Sequence, residues 1–290
     1  MATDNIVPMV PRALTIAGSD SGGGAGIQAD LKTFTVLGVF GMSAVTGLTA
    51  QNTCGITDVY PLPATFVRRQ IDAVMSDIGA DAVKTGMLVN AEIIAVVAQA
   101  VRQYGVHWLV VDPVMAAQSG TPLLEHTARD VFVKQLLPLC ALITPNIHEA
   151  QALTGVVINS VADMSRAARA LAELGAGAVL VKGGHLSGAD AVDVLDDGKA
   201  QHELSAPRLP ATHTHGTGCL LSAAITAHLA RGADLRTAIE HAKQFVSVAI
   251  RYGLPIGHGS GPANALAWLE RHHGGETTDE QTTDEQTTDG

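Results

Sequence analysis

Aromatic and basic residues are scarce in this chain. Phe, Trp and Tyr together make up 3% of its 290 residues, whereas hydrophobic residues make up 47%, so its core must be packed from Ala, Val, Leu and Ile. Against 28 Asp and Glu there are only 18 Lys and Arg, which gives a net charge of −10 and no basic stripe. This balance argues against nucleic acid as a partner. Six of the acids lie in the last fifteen residues, 276–290, so the rest of the chain is close to −4.

Cysteines and long apolar runs are also few. The three cysteines, Cys54, Cys140 and Cys219, are odd in number and widely spaced, which does not fit a disulfide framework. No apolar run approaches the roughly 18 residues of a membrane span. Residues 1–12 have an acid before any base and lack the apolar stretch of a secretory signal. These absences predict a cytoplasmic protein that does not act at a membrane.

Short apolar runs alternate with helical stretches along most of the chain. Runs such as 108–113, 141–145 and 178–184 are apolar throughout, which is typical of strands that are covered on both faces of a parallel sheet. The pattern predicts one doubly wound α/β domain over residues 13–273, with ligands at the carboxyl ends of its strands. Residues 1–12 would be an N-terminal extension. The acidic TTDEQ repeats of 274–290 have no apolar residue to bury and predict disorder.

The glycine-rich segment 18–26 follows a predicted strand and leads into a predicted helix. Residues 24–29 satisfy the G-x-G-x-x-A dinucleotide pattern, but no acid stands about 20 residues further on to bind a ribose, because the next acid after Asp30 is Asp58. A Walker A loop is excluded because no Lys-Ser/Thr pair follows the glycines. Close packing of a helix on a strand is one interpretation. We favour a loop over a small ligand, with Asp30 and Gln51 near it.

Four polar residues follow the predicted strands on one side of the sheet. Asp112 ends one strand, Asn146 and Glu149 open the helix after the next, and Lys182 ends another. Oxygen ligands of this kind suit Mg²⁺ bound together with phosphates. Each residue also has a structural interpretation: a solvated strand end for Asp112, a helix N-cap for Asn146 and a surface lysine for Lys182. Their occurrence on successive strand ends favours the metal and phosphate site.

The sequence GTGC, residues 216–219, leads into an apolar helical stretch. Glycines before a helix let backbone N–H groups converge, and the helix dipole favours an anion there, such as a phosphoryl group in transfer. The same dipole lowers the pKa of a thiol. Cys219 is therefore expected to be a thiolate that accepts the proton of an attacking hydroxyl. A zinc site built from His213, His215 and Cys219 is the alternative, although the spacing is not a common one.

Seven segments in this order resemble the hydroxymethylpyrimidine/phosphomethylpyrimidine kinases of thiamine biosynthesis. They are GSDSGGGAGIQADLKTF, TAQNT, KTGML, VDPVM, LITPN-x-x-EA, KGGH and THGTGC, and the likeness runs from about residue 13 to residue 262. The resemblance implies a ribokinase-like fold, with a central, mostly parallel sheet flanked by helices on both faces, and a homodimer. It also implies that MgATP phosphorylates 4-amino-5-hydroxymethyl-2-methylpyrimidine to the monophosphate and then to the diphosphate.

The resemblance further implies roles for individual residues. Asp30 and Gln51 would hydrogen-bond the aminopyrimidine. The other expected site residues are those of the pyrimidine pocket (Gly18, Met87, Val114), of the Mg²⁺ ion (Asp112, Glu149), of ATP and its phosphates (Asn146, Lys182, Thr217, Gly218) and of catalysis (Cys219, Gly216, Gly218, Lys182).

Two departures from the family pattern concern the nucleotide. Many relatives have Thr where this chain has Leu220, and Lys where it has Gln118. The nearest competing function is a pyridoxal kinase, or a kinase of both pyridoxal and the pyrimidine. A pyrimidine-binding regulator without activity is the alternative from another class, but it would have no use for the phosphate-binding residues. Segment 119–126 is a candidate lid.

Overall fold

The protein is represented by a computed structural model that describes residues 10–117, 120–125, 127–184, 186 and 188–273. The predicted acidic tail, Gln118, two residues of the candidate lid (Ser119 and His126) and most of the predicted N-terminal extension lie outside the described residues. Of that extension, Arg12 belongs to the first strand, where it pairs with Asp81 at 2.8 Å.

Within the described residues, nine strands form one sheet in the order β3-β2-β1-β4-β5-β6-β7-β8-β9. Their bounds are β1 Arg12–Asp20, β2 Phe40–Asn52, β3 Gly55–Pro61, β4 Ala82–Thr85, β5 Leu109–Val111, β6 Leu142–Ile143, β7 Val179–Val181, β8 Asp190–Asp196 and β9 Gln201–Pro207. The strands β1, β2, β4, β5, β6 and β7 pair in parallel, whereas β3, β8 and β9 are antiparallel at the two edges. The predicted mostly parallel α/β sheet is confirmed.

Helices connect the parallel strands, and three further helices follow β9. They are α1 Gly26–Val36, α2 Ala64–Asp77, α3 Ala91–Gln103, α4 Ala128–Val131, α5 Ile147–Thr154, α6 Val161–Glu173, α7 Thr217–Ala230, α8 Leu235–Arg251 and α9 Ala267–His273. After α4 the chain continues through one π-helical turn, Phe132–Leu136, and one 3₁₀ turn, Leu137–Leu139. Within the described ranges, no helix combines the length and apolarity that a membrane crossing requires.

Each face of the sheet carries its own apolar layer. Alternate residues of a strand point to opposite faces, so in β5 Leu109 and Val111 pack with α2, α3, α5 and α6, and Val110 packs with α1, α7 and α8. All three residues are fully buried. This explains why the central strands are apolar at every position: both faces are covered.

Candidate active site

A cleft of about 1160 Å³ opens at the carboxyl ends of the parallel strands. Because its walls follow the strand order, Gly18 of β1, Gln51 of β2 and Met87 after β4 line one end, and Asn146 after β6 and Lys182 after β7 line the other. Asp112 follows β5, between these groups. This is the position at which open α/β sheets bind ligands. The cleft therefore lies at the edge of the sheet where the sequence predicts the site.

The GTGC segment forms the N-terminus of α7 and contacts the glycine-rich loop after β1. Gly216 has a φ of 79°, in the left-handed region, and a Cβ atom there would lie 1.8 Å from the carbonyl oxygen of Gly24. Only glycine permits this approach of the two loops. A Cβ atom on Gly218 would lie 3.2 Å from Nζ of Lys182 and 3.9 Å from Oδ2 of Asp112. The first N–H groups of α7, which have no acceptor within the helix, therefore lie beside these two side chains.

Lys182 and Asp112 form an ion pair, with 3.1 Å between Nζ and Oδ1. Asp112 also accepts longer hydrogen bonds, of 3.4 Å each, from the hydroxyl groups of Thr144 and Ser222. Burial alone would lower the pKa of Lys182, but the carboxylates of Asp112 and Glu149 raise it above its ordinary value. A fixed positive charge thus stands beside the N-terminus of α7. Thr217 offers less to an anion, because its hydroxyl group already donates to the carbonyl of Thr214 at 2.7 Å.

Asn146 and Glu149 form a capping box at the start of α5. Oδ1 of Asn146 accepts from the Glu149 N–H at 2.9 Å, and Oε2 of Glu149 accepts from the Asn146 N–H at 2.7 Å. The structural interpretation of Asn146 as a helix cap is therefore confirmed. Burial, together with the charge of Asp112, raises the pKa of Glu149 to about 7, although Lys182 opposes this shift. The carboxylates of Glu149 and Asp112 are close enough for the charge of Asp112 to raise the pKa of Glu149. Two neighbouring carboxylates of this kind suit a Mg²⁺ ion whose other ligands are water and phosphate oxygens.

Cys219 lies in the first turn of α7, half-buried in the wall of the cleft. Burial raises the pKa of its thiol to about 11, even though the charge of Lys84 and a hydrogen bond from the Gly26 N–H lower it. The expected lowering of the thiol pKa by the helix N-terminus is therefore wrong for the protein without ligands. Loss of hydration outweighs the charge of Lys84 and the hydrogen bond from the Gly26 N–H, which both favour the thiolate.

The expected contact between Asp30 and the substrate also needs correction. Asp30 is fully buried in α1 and is absent from the cleft wall. Its two oxygens lie 2.8 Å from Nζ of Lys84, and Oδ2 accepts a 2.6 Å hydrogen bond from Thr15. Lys84, in β4, is the member of this pair that lines the cleft. The sequence motif does not show which member of this ion pair reaches the cavity.

The remaining predicted pocket residues do line the cleft: Gly18, Gln51, Met87 and Val114. Gly18 is tightly fitted, since a Cβ atom on it would lie 2.2 Å from Cε of Met87. The amide nitrogen of Gln51 lies 3.1 Å from Nε2 of His215.

Sequence reasoning missed the pairing of His215 with Asp20. Nε2 of His215 lies 3.2 Å from Oδ2 of Asp20, which also accepts N–H hydrogen bonds from Gly24 and Ala25. Burial acts to raise the pKa of Asp20, but the hydrogen bonds from His215 and the backbone lower it overall. The position of Asp20 at the end of β1, before the glycines, was the signal for its contact with His215.

Among the described residues no cluster could hold a metal through three His, Cys, Asp or Glu side chains, so the zinc alternative has no support.

Comparison with known proteins identifies the family. The family model described as phosphomethylpyrimidine kinase matches residues 20–264. The chain belongs to this kinase family. It is 48% identical to the hydroxymethylpyrimidine/phosphomethylpyrimidine kinase of Bacillus subtilis, over 89% of this chain and 95% of that protein. It is 52% identical to the thiamine biosynthesis bifunctional protein ThiED of Geobacter sulfurreducens, over 89% of this chain but only 52% of that longer protein.

A solved structure extends the comparison to the fold. Pyridoxal kinase from Bacillus subtilis, in complex with ADP, superposes with a TM-score of 0.84 at 40% sequence identity, over 90% of this chain and 99% of that one. The predicted ribokinase-like fold is confirmed by this likeness.

Proposed function

We propose that this kinase transfers the γ-phosphoryl group of ATP to the hydroxymethyl group of 4-amino-5-hydroxymethyl-2-methylpyrimidine, and then a second group to the resulting monophosphate. The observation that carries the proposal is the order of groups along one cleft. The α7 N-terminus, with Gly218 and Cys219, shares that cleft with the pocket of Gly18, Gln51 and Met87 and with the charged residues Asp112 and Lys182. A relative at 48% identity bears the name of this activity.

Positioning and charge stabilisation are the main tasks of the protein in phosphoryl transfer. The hydroxyl oxygen forms a bond to the γ-phosphorus as the bond from that phosphorus to the β-γ bridging oxygen breaks, and ADP leaves. The N–H groups of Gly218 and Cys219 and the ammonium of Lys182 would stabilise the negative charge on the transferred oxygens. Asp112 and Glu149 would hold Mg²⁺, which would neutralise phosphate charge when it is bound.

The first transfer must also remove the hydroxyl proton. Cys219 is placed to accept this proton. Lys84 and the Gly26 N–H favour the thiolate form of Cys219. At neutral pH the thiolate fraction is nevertheless small, because the pKa of the thiol is about 11. The second transfer begins from an ionised phosphate oxygen and needs no base, since the second pKa of a phosphate monoester is about 6. The two steps should therefore depend differently on Cys219.

The test is ADP release with MgATP and one of three acceptors: the hydroxymethylpyrimidine, its monophosphate or pyridoxal. Turnover of both pyrimidines, with pyridoxal at least tenfold slower in kcat/KM, is the expected result. No ADP release from either pyrimidine by a folded protein would refute the proposed function. The same preparation examined by light scattering tests the homodimer, which stays a prediction.

Pyridoxal kinase activity is the second candidate, and one observation favours it: the superposition on Bacillus subtilis pyridoxal kinase at a TM-score of 0.84. Pyridoxal turnover equal to that of the pyrimidines would assign both substrates to this cleft.

A further inference from the structure

The ion pair of Lys84 and Asp30 is buried more deeply than any other among the described residues. Both side chains are 0% exposed, and Nζ of Lys84 lies 2.8 Å from each carboxylate oxygen of Asp30. Burying two charges in this way is costly before their attraction is counted, and a neutral pair of similar size is often as stable or more stable. Fold stability therefore gives little reason for a charged pair here.

Lys84 has one more donor than Asp30 uses. An ammonium group has three N–H donors, and within the described chain the hydrogen bonds of Lys84 are the two to Asp30. Lys84 lines the cleft and Asp30 does not. Lys84 therefore places in the cleft wall a cation that the carboxylate of Asp30 holds in position.

Cys219 is the group on which this cation acts. Helix α1 presents the Gly26 N–H to the Cys219 thiol and, four residues later on the same face, Asp30 to Lys84. The charged groups that affect the pKa of the Cys219 thiol are Lys84 of β4, Asp30 of α1 and Asp112 after β5. Lys182, after β7, also interacts electrostatically with this thiol. Of these, Lys84 has the largest effect on the pKa of Cys219 and lowers it, whereas Asp30 and Asp112 raise it.

We propose that Lys84 is a positioning residue, whose ammonium group, held by Asp30, stabilises the negative charge that forms on Cys219 when it accepts the hydroxyl proton. The inference rests on the proposed function. It assigns to Lys84 and Asp30 an electrostatic role, in place of the direct substrate contact expected for Asp30. The proton passes from the substrate hydroxyl to the sulfur, and Lys84 keeps its own protons throughout.

The experiment measures the alkylation rate of Cys219 by iodoacetamide at pH 8, in a Cys54→Ser/Cys140→Ser background. The rate follows the thiolate fraction and needs no substrate. Lys84→Met should lower the rate about fivefold, and Asp30→Asn should raise it, because the cation then loses the carboxylate that opposes it. The double variant Lys84→Met/Asp30→Asn should react faster than Lys84→Met but more slowly than wild type, because Lys84 affects the thiol more than Asp30 does, and it should keep a wild-type melting temperature. Lys134→Met, in an exposed ion pair with Asp130, is the control.

Kinetics of the double variant separate this role from a structural one. The kcat of the first phosphorylation should fall in proportion to the alkylation rate and that of the second less than twofold, with the KM for ATP unchanged. A double variant that is folded, with wild-type alkylation and an unchanged ratio of the two rates, would overturn the inference. So would a faster alkylation of Lys84→Met. If wild type turns over neither pyrimidine but alkylation responds as expected, the proposed function fails while the action of Lys84 on Cys219 stands.

Discussion

Nζ of Lys182 and Oδ1 of Asp112 lie 3.1 Å apart, directly beside the backbone of Gly218 at the start of α7. A cation, a carboxylate and a helix N-terminus thus converge, although they come from three segments distant in sequence. Such a combination suits an anion together with its counter-ion, because a lysine attracts phosphate oxygens and a carboxylate attracts the metal that accompanies them.

Gly218→Ala should abolish most activity without unfolding the protein. Its methyl group would lie 3.2 Å from Nζ of Lys182 and would occupy the space expected for the transferred phosphoryl group. We expect kcat to fall by about 10²-fold or more, with a melting temperature close to wild type. Gly216→Ala is the contrasting variant, because its φ of 79° and the 1.8 Å approach to the Gly24 carbonyl should cost stability as well. Equal melting temperatures for the two variants would contradict this distinction.

Lys182→Met should reduce phosphoryl transfer from ATP with either pyrimidine. The variant removes the cation beside the α7 N-terminus and leaves Asp112 without its ion-pair partner. We expect a loss of about 10²-fold in kcat/KM for both steps, because both use the same phosphate site. Lys134→Met removes a pair whose side chains are 76% and 82% exposed and should change neither rate. A loss confined to one of the two steps would show that Lys182 acts on the acceptor instead.

The pH dependence of the first step should report the Cys219 thiol. Since burial raises its pKa to about 11, the thiolate fraction increases about tenfold per pH unit below that value. We therefore expect kcat/KM for the hydroxymethylpyrimidine to rise about 10²-fold between pH 7 and pH 9. The monophosphate reaction should stay nearly flat, because its nucleophile is already ionised.

Cys219→Ala supplies the matching control for that profile. It should remove the pH-dependent part of the first reaction and leave the second reaction within about threefold of wild type. Identical pH profiles for the two steps, or equal losses in the variant, would mean that Cys219 is not the base.

Asn146→Ala should affect stability and activity together. It removes the side-chain cap of α5, which costs about 1 kcal/mol, and with it the hydrogen bond from the Glu149 N–H that helps to position this residue. We expect weaker activation by Mg²⁺, seen as a higher Mg²⁺ concentration at half-maximal rate. Ser160→Ala removes the cap of α6, which accepts from Asp163 at 3.2 Å, and should lower stability comparably with no change in Mg²⁺ activation. If both variants respond alike to Mg²⁺, Asn146 is only a cap.

The sequence predicted the sheet well because its central strands are apolar on both faces. The segments ending at Asp112 and Lys182 could be placed at one edge from their strand pattern alone. The sequence did not predict the helical segment from Ala128 to Leu139. A π-helical turn and a 3₁₀ turn there disturb the spacing of apolar residues that is typical of an α-helix. Burial was the other difficulty: the spacing of motifs does not show that Asp30 points into the core at Lys84, or that the Cys219 thiol loses its hydration.

The contact between Gly24 and Gly216 joins residues that are nearly two hundred positions apart in the sequence. This contact can form only after the segment around Gly216 has been synthesised, when the strands that lead to Asp112 and Lys182 are already complete. The proposed phosphate-binding groups therefore come together late in translation. A chain truncated before Gly216 would keep Gly18, Gln51 and Met87 of the cleft but lack the α7 N-terminus, so it should bind no phosphoryl group productively.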